Sequence, residues 1–231
     1  MVRQPLFLSP NYRAFVRGIR ALHRLAIAGK DESPEADAVR DSMDAPWEAL
    51  SEIERIRARG LSEDLYSISD PPNGCGDQMD AQIQDKLNNA LEVRQRGEWD
   101  RALEQLRGLD GFVAPALMSF LRGSIWLYAD DPETALLFFE HALQLQPENG
   151  NYLAIFLHAL NAADPRAAQE HARQIVANPN THSPVAVARA ADILFRATHS
   201  LADAETMEAI RQLIPVFERA ISHIEFDYRA I

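Results

Sequence analysis

Between residues 11 and 29 the apolar positions return every three or four residues. Phe15, Ile19, Leu22 and Ala26 fall on one face, and Arg13, Arg17, Arg20 and Arg24 on the opposite one. That is the period of an amphipathic helix. A second helix is predicted to begin in "DESPEADAVRDSMD", where Ser33 suits the N-cap, Pro34 the first turn, and Glu35 and Asp37 the positive end of the dipole. A third is predicted over "PWEALSEIERIRARGLSEDLYSI", with a break near Gly60. Ser51 followed by Glu54 has capping-box spacing, or else sits inside a continuous helix. The sharpest change of character is "SDPPNGCGD", where Pro71 and Pro72 favour extended backbone and Gly74 and Gly76 permit positive φ. The chain therefore divides into an N-terminal helical segment (1–68), a linker (69–77) and a third part (78–231).

In that third part no β-branched residues alternate with polar ones, so no strand is predicted. Helical patterns alternate instead with short breaks such as "RGEWD", "ADDP", "QPENGN", "NAADP" and "ANPNTHSP". The expected fold class is all-α, with about eight helices in short-loop antiparallel pairs. The breaks are periodic. "GEWDRALEQLRGL", "DDPETALLFFEHAL" and "ADPRAAQEHARQI" align on Ala102, Ala135 and Ala168, a step of 33 residues. The prolines Pro115, Pro147 and Pro179 recur at nearly the same interval. A fixed step of this size marks stacked supersecondary units.

Residues 116–149 carry Gly123, Trp126, Ala135, Phe139, Ala142 and Pro147, and at these positions the chain resembles the tetratricopeptide repeat family. Residues 83–115 keep Ala90, Gly97, Trp99 and Ala102, with Leu109 where alanine is usual. Residues 149–180 keep Tyr152 and Ala168, with Phe156 at the small-residue position. Residues 183–226 are looser, and Pro215 interrupts an apolar series of Met207, Ile210, Ile214, Phe217, Ile221 and Ile224, which suggests a capping hairpin with a kinked or split second helix. The resemblance implies an α-solenoid of about four hairpins behind the N-terminal segment. That segment is itself similar to one preceding repeat arrays in uncharacterised bacterial tetratricopeptide proteins, a likeness that implies no activity.

The family further implies a concave groove lined by first helices, and a role as a non-catalytic adaptor or scaffold that takes a peptide or helix of a protein partner. The groove positions are Leu87, Leu91, Arg94 and Gln95 in the first unit, Leu117, Phe120, Ser124, Leu127 and Tyr128 in the second, and Leu153, Leu157 and Asn161 in the third. Phe120 and Ser124 stand where some members hold a peptide's terminal carboxylate with lysine and asparagine, so that clamp is not expected. A largely apolar groove suits an amphipathic helix or an extended apolar peptide. Alternatively, the chain's own Phe15, Ile19 and Leu22 cover it. Homodimerisation is left open.

Composition narrows the classes. The 231 residues carry a net charge of −11, which argues against nucleic acid as the main partner. The arginine face at Arg13, Arg17, Arg20 and Arg24 is the feature that would support a peripheral membrane or nucleic-acid module. The contrary reading has those arginines solvated or paired with the acidic segment that follows. No run nears the ~18 apolar residues of a membrane span. The N-terminus lacks a signal-peptide core, although its acid-free stretch to Asp31 has transit-peptide character. Cys75 stands alone, so no internal disulfide forms, and the cytoplasm is the expected setting.

Catalytic signatures are missing from the sequence: there is no Gly-rich phosphate loop, GxSxG, HExxH or paired CxxC. The histidines (His23, His141, His158, His171, His182, His199 and His223) are never four apart, and the acidic run after Lys30 lacks the central glycine of a calcium loop. No catalytic residue, cofactor or metal is expected, and an enzyme would need a site assembled from scattered residues.

Overall fold

Proline and a short polar side chain start most of the helices. In the computed structural model, which describes residues 9–69 and 80–198 together with 208, 211, 214 and 215, helix α1 (Pro10–Ile27) is capped by Ser9 and α2 (Pro34–Glu48) by Ser33. α3 (Glu52–Ser69), α4 (Ala81–Gln95), α5 (Trp99–Arg107), α6 (Pro115–Tyr128), α7 (Pro132–Leu145), α8 (Gly150–Ala163), α9 (Pro165–Ala177) and α10 (Pro184–Thr198) follow, with a 3₁₀ turn at Pro179–Thr181. Asp80, Asn149 and Asp164 cap α4, α8 and α9 by accepting from the first free backbone N–H groups. The fold is all-helical, with no strand among the described residues.

Two local expectations are corrected and one open alternative is decided. Pro46 does not open the third helix but lies in the last turn of α2. That turn is held by Trp47, whose ring lies 5.0 Å from that of Phe15. The third helix starts instead at a true capping box. Ser51 donates its N–H (2.9 Å) and hydroxyl (2.7 Å) to Glu54, whose own N–H points back to the Ser51 oxygen at 3.4 Å. Finally, α3 runs through Gly60 unbroken, because the glycine makes room rather than a break: a Cβ there would lie 2.9 Å from Arg107 Cζ. Of the expected linker 69–77, Ser69 ends α3 instead, and residues 70–77 and most of the expected capping hairpin lie outside the described residues.

Two compact units divide the chain, Met1–Phe138 and Phe139–Ile231. Buried charge links the helices of the first unit. Asp64 of α3, fully buried, accepts from Arg107 of α5 at 2.8 and 3.0 Å, and Arg122 Nε of α6 lies 3.3 Å away. Arg122 also donates to Ser67 (3.0 Å) and to Asp110 (2.6 Å). Burial lifts the Asp64 carboxyl above its usual range, and the arginines work against that rise. A second cluster joins α1 to the start of α7: Arg20 donates to Asp131 at 3.0 Å and to Thr134 at 3.2 Å, and also pairs with Glu133. Asp131 in turn caps α7 by accepting from the Thr134 N–H. The N-terminal helices thus belong to the same unit as α4, α5 and α6.

Within that unit the expected repeat residues Ala90, Ala102, Gly123, Trp126 and Ala135 are all buried. In the second unit, α8, α9 and α10 pack around Leu157, Ala168, Ala172, Ile175, Val187, Ala190 and Leu194. The small residues let those helices approach closely.

Removing one partner of a buried ion pair strands the other. Asp64→Ala is expected to lower the unfolding free energy by about 3–5 kcal/mol, whereas Asp37→Ala, which breaks the exposed pair with Arg40, changes it by about 0.5 kcal/mol or less. Urea titration of both variants checks this. A loss below about 1 kcal/mol for Asp64→Ala, comparable to that of a surface pair, contradicts it.

Candidate functional site

Two surfaces of the first unit have the character of binding sites. The first consists of the groove residues expected on α4 and α6. Leu91 and Arg94 are partly exposed on α4, and Leu117, Phe120 and Leu127 on α6, while Gln95 and Tyr128 are exposed. The Arg94 guanidinium lies 5.4 Å from the centre of the Tyr128 ring, so the last turns of α4 and α6 meet there. Leu87 is buried, and so is Ser124, whose hydroxyl donates to the Phe120 carbonyl at 2.8 Å. Neither offers a surface to a partner. In the second unit Leu153 and Asn161 are partly exposed on α8, whereas Leu157 is enclosed in the α8–α10 core.

The second surface is a cavity of about 520 Å³ among α1, α2 and α3. Phe15, Ile19, Leu22, Met43, Trp47, Leu65 and Tyr66 give it apolar walls, and Arg40, Arg59, Asp31 and Asp44 bring charge to its lining. Arg55 and Arg59, one turn apart on α3, each sit 5.5 Å from the Trp47 ring centre. Gly18 lets α2 approach, since a Cβ there would collide with Met43. Phe15, Ile19 and Leu22, suggested by the sequence as a cover for the groove, therefore line this cavity instead.

The arginine face of α1 is also revised. Tyr12, Val16, Ile19, Arg20 and His23 are the buried positions, so Arg20 points inward to Asp131 and the exposed basic residues are Arg13, Arg17 and Arg24. A stripe reduced in this way carries less charge to a membrane or nucleic acid. No described helix is long and apolar enough to cross a membrane.

No group of three potential metal ligands occurs among the described residues. Asp64 and Asp131 are the carboxylates whose pKa burial raises, and both are enclosed with arginine partners rather than open to a substrate. Burial also pushes the pKa of His141 and of His158 down. The sequence reading missed both the buried ion pairs and the cavity. An acid inside the apolar stripe Leu61, Asp64, Leu65 and an arginine inside "LMSFLRGSIWLY" were the available signals.

Comparison of the chain with protein-family models, with curated proteins and with solved structures finds no match.

The cavity makes a spectroscopic prediction. Trp99 and Trp126 are buried, and Trp47 is the partly exposed tryptophan. Trp47→Phe is expected to remove most of the acrylamide-quenchable fluorescence. Unchanged quenching in that variant would mean that the indole is shielded.

Proposed function

We propose that this chain is a non-catalytic interaction module, an adaptor or scaffold built from tetratricopeptide-like hairpins, that holds a peptide or helix of another protein against α4 and α6. The reading rests chiefly on the Arg94–Tyr128 contact, which joins the first helices of the two best-patterned repeat units. Stacked hairpins bring successive first helices together along a groove, and this contact is of that kind at the last turns of α4 and α6. The partly exposed Leu91, Leu117, Phe120 and Leu127 add apolar surface beside that contact, as an amphipathic helix or apolar peptide needs. Buried Ala90 and Ala102, on the paired helices α4 and α5, are the small contact residues that such repeats need, and Gly123 and Ala135 are buried as well. A cytoplasmic setting accords with the lone Cys75.

The test is selection of peptides from a displayed random library on the wild-type protein, followed by measurement on the Phe120→Asp, Leu127→Asp double variant. Circular dichroism and melting temperature establish that the variant is folded. The selected peptides are expected to bind the folded variant at least about tenfold more weakly. Equal binding by wild type and folded variant would place the site elsewhere.

A further inference from the structure

Among the described residues, arginines withdrawn from water are held by carboxylates or, for half-buried Arg55, by a backbone carbonyl, that of Glu48 at 3.1 Å. Arg20 pairs with Asp131, Arg57 with Asp100, Arg107 with Asp64, and Arg122 with Asp110. Arg94 departs from that rule. It is half-buried in the last turn of α4, and among the described residues no carboxylate stands within ion-pair distance and no hydrogen bond is made by its guanidinium. The nearby glutamates are engaged elsewhere, Glu92 with Arg96 and Glu98 with Arg101. Burial lowers the pKa of Arg94, the signature of a cation that has lost water without gaining a counterion.

The Tyr128 ring centre lies 5.4 Å from the guanidinium carbon, within cation–π range. A ring contact uses no N–H donor, so all five remain at the edge of the fork. A planar, partly desolvated fork with unused donors is matched by a carboxylate binding in its plane through two parallel hydrogen bonds. Leu91, one turn earlier on α4, and Leu127, next to Tyr128 on α6, are partly exposed apolar neighbours. The ligand therefore needs apolar groups around its charge.

Building on the groove reading above, we propose that Arg94 is the anion-recognising residue of this surface, and that its partner is an amphipathic peptide presenting an aspartate or glutamate side chain between apolar anchors. The net charge of −11 repels acidic partners at long range. Recognition is then local: one carboxylate meeting one arginine.

The probe is a set of synthetic amphipathic peptides of leucine, alanine and lysine, amidated at the C-terminus. Each is made in matched forms with Glu, Gln or Lys walked along the edge of the apolar face. Binding is measured by fluorescence anisotropy to wild type, to Arg94→Gln and to the Phe120→Asp, Leu127→Asp variant. In the best register the Glu form is expected to bind wild type about tenfold more tightly than the Gln form. Arg94→Gln should abolish that ratio while leaving the affinity of the Gln form within about twofold. A Glu-to-Gln ratio unchanged by Arg94→Gln, with binding still dependent on Phe120 and Leu127, overturns the role of Arg94 and leaves the groove reading standing. A carboxylate preference confined to peptides with a free C-terminal acid also overturns it, because the anion recognised is then the terminus. Binding indifferent to Phe120 and Leu127 removes the groove itself.

Discussion

A carboxylate with no access to water is the constraint around which the first unit is arranged. Moving an ionised aspartate out of water costs several kcal/mol even after relaxation, so Asp64 is tolerable only where cations are brought to it. Arg107 supplies a two-point fork and Arg122 a second positive charge, and each comes from a different helix. α3, α5 and α6 must therefore converge at one place, in one register. Gly60, one turn before Asp64, is the space through which the Arg107 guanidinium passes. The Arg20–Asp131 cluster repeats the logic for α1 and the start of α7, where the same aspartate both meets the arginine and caps the helix.

That constraint decides what the N-terminal helices are for. They are not an appendage, because α3 provides the acid on which arginines of α5 and α6 depend. It also directs the apolar face of α1. With Arg20 turned inward, Phe15, Ile19 and Leu22 line a cavity with Met43 and Trp47, and the exposed side chains of α4 and α6 are not covered by them. Arg107 and Arg122 of the interior are paired with carboxylates, whereas Arg94 lies beside the Tyr128 ring without one.

Much of this was legible in the sequence where the signal is local. Ser33–Pro34 capped and opened α2 as its residue types require, and the repeat positions Ala102, Gly123, Trp126 and Ala135 are buried. Errors arose where two local readings share one pattern. The sequence reading had Pro46 opening the third helix, whereas it lies in the last turn of α2, where Trp47 packs on Phe15. The long-range pairs were not legible. Arg20 and Asp131 are separated by 111 residues, and periodicity assigned Arg20 to solvent because arginine usually lies there. Along α6, helical spacing does not reveal depth: Ser124 is buried while Phe120, one turn earlier, is partly exposed.

If buried charge joins the N-terminal helices to the hairpins, residues 9–138 open as one cooperative body. Native-state hydrogen exchange read amide by amide across α1–α6 measures this directly. The account predicts that the slowest amides of α1 and α3 share one opening free energy with those of α5 and α6. Slow amides in α5 and α6 beside α1 and α3 amides that open separately, several kcal/mol more easily, would contradict it.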